Sequence, residues 1–177
     1  YILCWLLARQ GTLFENAFVT TPILCLSRTS FHSGWYAHNG GAVANDVRNN
    51  CGGTDWVTWG ETDTIAIKAR RAGYWTGFAG KYVNTYERFC GNDSGSWRPT
   101  NMTCKRIPPG CEMWQALIAG TRVYYGGHTI ESDDGGRSVR RVDRETEYMP
   151  NVKANRTIQM IKEFTRQEEE DEEDGKS

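Results

Sequence analysis

The chain has no C-x-x-C pair among its six cysteines, no stripe of Lys and Arg interleaved with aromatics, and no apolar run near the roughly 20 residues of a membrane span. Each absence closes a class. Structural zinc draws on closely spaced cysteines, so Cys4, Cys25, Cys51, Cys90, Cys104 and Cys111 do not read as a zinc framework. Without a basic stripe the electrostatic footprint of nucleic-acid binding is missing, and nucleic acid is not an expected partner. The apolar opening YILCWLLA is too short to span a bilayer and lacks the basic start and cleavage site of a secretory leader. It reads as the inside of a structural element, so the chain is expected to be a piece of a longer product.

A base is also missing from residues 168–174, EEEDEED. Setting aside those seven acids and Lys176 from totals of 21 bases and 22 acids leaves residues 1–167 with 20 bases and 15 acids. The body is therefore net positive, which suits an anionic ligand. A run of like charge predicts a solvated, disordered tail over 167–177 after a domain over 1–166. That domain is rich in aromatics, with seven Trp, eight Tyr and six Phe, enough to build one core.

Cys90, Cys104 and Cys111 share a region of Gly, Pro, Asn and Ser, where cysteines serve as disulfides in oxidising compartments. At least one disulfide is expected among Cys51, Cys90, Cys104 and Cys111. Sequons at Asn92, Asn101 and Asn155 predict glycosylation, and together these features predict a secreted, lysosomal or other lumenal protein.

Local patterns predict a helix over 2–10 stopped by Gly11, a strand in TLFENAFV, and a short helix from about Leu24 to Ser33 ending at Gly34. A further helix, capped by Thr62 or Asp63, carries Ile65, Ala66, Ala69 and Ala72 at helical spacing up to Gly73. YWTGFAG then reads as a strand with Lys81 just past its end, the place where ligands bind in open α/β sheets. Residues 87–111 read as a loop and TRVYY as a strand. A last helix from about Pro150 to Arg166 carries a buried stripe of Met149, Val152, Ile158, Ile161 and Phe164.

Two segments carry a resemblance. FENAFVTTPILCLSRTSFHSGWYAHN resembles the signature of sulfatases, C-x-P-S-R followed by a T-G-(R/K) turn, and GYWTGFAGKYVNTY resembles their second signature, G-K-(W/Y) after a strand. IPPGCEMWQAL, TRVYYGGHT and ETEYMPNVKANRTIQMIKEF extend the likeness in order, over about residues 3–164, and it is strongest to glucosamine-6-sulfatases and extracellular endosulfatases. The resemblance implies an α/β fold, here an incomplete N-terminal part of an alkaline-phosphatase-like sulfatase fold, and hydrolysis of a sulfate ester on a sulfated carbohydrate. It implies a formylglycine nucleophile made from the motif cysteine, and calcium to orient nucleophile and sulfate. Such chemistry needs cations to neutralise the sulfate oxygens as the nucleophile arrives.

Carried over residue by residue, the motif arginine is Arg28 and the nucleophile position, four residues earlier, is Leu24. The motif proline falls on Leu26, while Ser27 matches. Cys25 stands at a variable position, turned by roughly 100° around a helix from the nucleophile position, and is a poor substitute. Lys81 matches the lysine that contacts sulfate, and Val83 stands where many members have histidine. His38 and Asn39 match a structural pair after the turn, Trp35 replaces a basic residue, and His32 is expected to pack or lie at the surface. Catalytic and substrate-binding roles are thus expected of Arg28 and Lys81, with Leu24 a substituted nucleophile. No metal ligand is assigned in this chain: Asp133, Asp134 and the tail acids lack the surroundings of the family's calcium ligands, which are expected to lie outside residues 1–177. The resemblance leaves two classes open, an impaired sulfuric ester hydrolase or a non-catalytic member that binds sulfated glycans or another protein. A decayed fragment is a third. A plainer role for Arg28, pairing with Glu15, also stays open.

Overall fold

The computed structural model describes residues 6, 8–45, 51–84, 86, 107–118, 127–136, 140–143, 146–173 and 175. Leu6 and residues 8–10 are helical, consistent with the predicted opening helix, most of which lies outside the described residues. Residues 12–19 form no strand and leave Leu13, Phe14, Phe18 and Val19 exposed, so the loose alternation of TLFENAFV does not become a strand. Alternation stabilises a strand only where a neighbouring strand takes up its backbone groups, and none does here among the described residues.

The helix after Pro22 is α1, Leu24–Ser33. Ile23 enters it in extended geometry, and Gly34 closes it with φ 76° while its N–H donates to Ser30 O. A left-handed residue at this position favours glycine, which carries no Cβ to clash. Its buried side is Cys25, Leu26, Thr29 and Ser33, and the hydroxyls of Thr29 and Ser33 donate back to Leu26 O and Thr29 O.

The short helix α2, Thr54–Thr58, and a 3-10 turn, Gly60–Asp63, follow; the sequence pattern does not signal either. Helix α3, Ile65–Arg71, is capped by Thr64, whose hydroxyl accepts from Ile67 N–H, and not by Thr62 or Asp63. Four strands make one sheet in the order β1 (Gly77–Gly80), β2 (Met113–Ile118), β3 (His128–Ser132), β4 (Arg140–Asp143). β1 and β2 are parallel, and the remaining pairs are antiparallel. A parallel pair needs a long crossover, supplied here by residues 81–112. The strand expected in TRVYY lies outside the described residues.

Helix α4, Met149–Glu173, packs on β1 and β2. Gly77 permits this approach: a Cβ there would sit 3.1 Å from both Met160 Sδ and a ring carbon of Phe164. Two expectations about this helix need correction. It does not stop near Arg166 but continues through the acidic run to Glu173. Glutamate is a good helix former, and Arg166 joins Glu163 one turn before it to Glu170 one turn after. Its buried side is Met149, Val152, Arg156 and Met160, while Ile158 and Ile161 are exposed.

The core lies between α1, the α2 region and the sheet. Tyr82 is its hub, with ring centroids 5.0 Å from His32, 5.2 Å from Trp114, 5.3 Å from Tyr86 and 5.7 Å from Phe78. Cys25, Leu26, Cys51, Trp56, Val83 and Ile130 are also part of it.

Candidate functional site

On an α-helix, residues four apart lie above one another, so Leu24, Arg28 and His32 share one side of α1. The three positions meet different surroundings. Leu24, in the first turn, is exposed. Arg28, one turn on, is partly buried, and its Nη1 donates to Tyr82 O at 3.5 Å and Asn84 Oδ1 at 3.4 Å. His32, a further turn on, packs against Phe31, Phe78 and Tyr82.

Those contacts tie the helix to the segment that leaves β1. Lys81 is the first residue past that strand and is partly buried, and Tyr82, whose carbonyl holds Arg28, is the next. The structure therefore brings the two sequence-selected segments together at the carboxyl end of β1. Glu15 is exposed and is not a partner of Arg28 among the described residues. Burial lowers the Arg28 pKa from its ordinary value, yet a guanidinium stays charged at neutral pH. Burial, and secondarily the Arg28 charge, push His32 down to about 4, so His32 is a neutral packing residue at physiological pH.

Cys25 is fully buried and disulfide-bonded to Cys51, also fully buried. The Cys51 disulfide thus reaches Cys25 and not another cysteine of the loop-rich region. Cys111 is a free, buried thiol pushed up to about 12, chiefly by burial and then by the charge of Glu112. Cys4, Cys90 and Cys104 lie outside the described residues, as do Asn92 and Asn101. Asn155 is exposed on α4.

Val83 is buried, and His38, exposed on the turn after α1, stacks on Tyr36 with centroids 5.6 Å apart. Asn39 is exposed and its N–H donates to Tyr36 O. Among the described residues no group of three or more His, Cys, Asp or Glu could hold a metal ion. The amide oxygens beside α1 are in use: Asn45 Oδ1 accepts from Cys25 N–H at 2.9 Å and Asn84 Oδ1 from Arg28. The residues described therefore do not fit a calcium site.

Asn45, Asn84 and Glu61 are the polar residues the sequence reading passed over. Glu61 is buried and accepts from the Tyr82 hydroxyl at 3.4 Å. Asn84 lies three residues beyond Lys81, a proximity that could have drawn notice, but no spacing rule links it to an arginine 56 residues earlier.

The sulfatase family model matches residues 5–171. The extracellular sulfatase SULF-1 homolog of Drosophila melanogaster is 32% identical over 157 residues, 89% of this chain and 12% of that protein. The Sulf-1 homolog of Caenorhabditis elegans is 31% identical over 156 residues, 88% of this chain and 19% of its own length. N-acetylglucosamine-6-sulfatase of Homo sapiens is 30% identical over 157 residues, 88% and 26% of the two chains. The chain thus spans between 12% and 26% of the length of these relatives. No solved structure matches.

Proposed function

From the premise that this chain belongs to the sulfatase family, we propose that it retains the sulfate-recognising part of a sulfatase site, takes a sulfate ester of a sugar, and does not hydrolyse it by the family's nucleophilic route. The observation that carries this reading is the hydrogen bond from Arg28 to Tyr82 O, directly beside Lys81. Arginine offers a planar fork of donors and lysine a point charge, a pairing suited to a tetrahedral oxyanion. The substrate class follows from the relatives, named as extracellular sulfatases and N-acetylglucosamine-6-sulfatases. A secreted or lumenal location, with glycosylation at Asn92, Asn101 and Asn155, belongs to the same reading; among the described residues no helix is long and apolar enough to cross a membrane.

Two observations speak against turnover. Leu24 has only aliphatic side-chain atoms where the resemblance expects the nucleophile. Cys25, the neighbouring sulfur, is held in a disulfide and offers no thiolate. Loss of the nucleophile with retention of the cations favours the second reading, a non-catalytic member that binds sulfated glycans. Arg28 and Lys81 are only partly buried, so salt screens their contacts and binding should be weak and salt-sensitive. Titration of a 6-sulfated glucosamine against the chain, with release of free sulfate followed in the same samples, tests the reading. Binding that weakens in Lys81→Ala and at high salt, with no sulfate released, is the expected result. Equal binding by wild type and Lys81→Ala would remove the retained site, and sulfate release above buffer would restore catalysis.

A further inference from the structure

We propose that Asn84 is a positioning residue of this anion site, one that holds the Arg28 guanidinium beside Lys81 without neutralising it; the proposal rests on reading Arg28 and Lys81 as anion-binding groups. Asn84 meets three neighbours. Its Oδ1 accepts from Arg28 Nη1 at 3.4 Å, and its Nδ2 donates to Asn45 O at 3.3 Å. Its carbonyl oxygen lies 3.5 Å from Cys51 Sγ, a contact and not a hydrogen bond, since a disulfide sulfur carries no proton. Asn45 in turn accepts from Cys25 N–H in the first turn of α1, and Cys25 is bonded to Cys51. Two asparagines and the disulfide therefore close a ring of contacts between α1 and the segment after Lys81.

The orientation of the Asn84 amide is determined by its partners. A guanidinium can only donate and a backbone carbonyl can only accept, so flipping the amide would break both contacts. A neutral acceptor suits this place. The contacts to Arg28 are long, both fall on Nη1, and neither Nη2 nor Nε has a hydrogen-bond partner among the described residues. The cation is therefore aimed but still has donors for two oxygens of an incoming anion. A carboxylate of the same shape would form an ion pair with Arg28 and compete with that anion.

The test is titration of inorganic sulfate at low salt against the full chain, comparing wild type with Arg28→Ala, Asn84→Ala and Asn84→Asp, and recording the near-ultraviolet circular dichroism of each. Asn84→Asp is nearly isosteric, so its effect reports charge. The expected result is an affinity loss of about tenfold or more for Asn84→Asp, against roughly threefold for Asn84→Ala, with the dichroism unchanged; tenfold corresponds to about 1.4 kcal/mol. Equal losses in the two Asn84 variants, or losses that accompany a changed dichroism spectrum, mean a merely structural asparagine and overturn the proposal. Binding lost in Arg28→Ala but unchanged in both Asn84 variants overturns it while leaving the anion site intact. Equal binding by wild type and Arg28→Ala removes the anion site itself.

Discussion

His32 illustrates what a single packed side chain contributes to stability. It lies one turn beyond Arg28, its ring against Phe78 and Tyr82, and its pKa is pushed down to about 4 by burial and by the Arg28 charge. In the unfolded chain it titrates near 6.5. Between those values the unfolded state binds the extra proton, so stability rises with pH. The contribution is complete above about pH 6.5 and is lost as pH falls toward 4. Urea unfolding at pH 7.5 and 4.5 should show His32→Phe, which keeps a ring in the site, losing about 2 kcal/mol less than wild type over that interval. Equal losses would mean that His32 is not buried as a neutral ring. At this scale the sequence was partly legible. The i, i+4 interval between Leu24 and Arg28 and the place of Lys81 after a strand are local facts. Asn84 was not legible, because its meaning comes from a partner 56 residues away.

Helix α4 shows the same division one level up. Its existence and its start near Met149 follow from helical spacing, yet the buried side follows the positions Met149, Val152, Arg156 and Met160. A stripe read by hydropathy steps over Arg156 and selects Ile158 and Ile161, which are exposed. The arginine is buried because its charge is met: Nη2 pairs with Asp133 and donates to Ser132 O at 3.4 Å. Nothing in the helix's own sequence announces that partner. The register makes a sharp contrast between adjacent residues. Met160→Ala should cost about 2–4 kcal/mol of unfolding free energy, since its side chain is enclosed against Gly77. Ile161→Ala should change stability by about 0.5 kcal/mol or less. Chemical denaturation of the two variants decides between the registers, and a larger loss at Ile161 would favour the stripe read from hydropathy.

For the whole molecule, the disulfide joins what the sheet does not. Helix α1 lies apart from the strands in the chain, and its first turn is bonded to Cys51, ahead of α2, across a separation of 26 residues. Cysteine count alone leaves the pairing open, and loop composition pointed to Cys90, Cys104 and Cys111. The fold selects Cys25 because burying Leu26 and Thr29 turns its sulfur inward, toward the segment after 50. Closing a loop of this size restricts the unfolded chain and contributes about 3–4 kcal/mol in the chain-entropy account. The double variant Cys25→Ala with Cys51→Ala should therefore unfold at lower urea, and it should bind sulfate less tightly than wild type, because Asn45 and Asn84 then lose the covalent anchor between them. Removing the disulfide acts mainly on the unfolded state, whereas weaker anion binding requires that the folded site has loosened as well. Peptide mapping should find Cys25 linked to Cys51 in the wild-type chain, and the two variant measurements separate the consequences. Lower stability with undiminished sulfate affinity would make the bridge a staple of the fold alone. Unchanged stability, or Cys51 linked to a cysteine of the 90–111 segment, would refute the pairing.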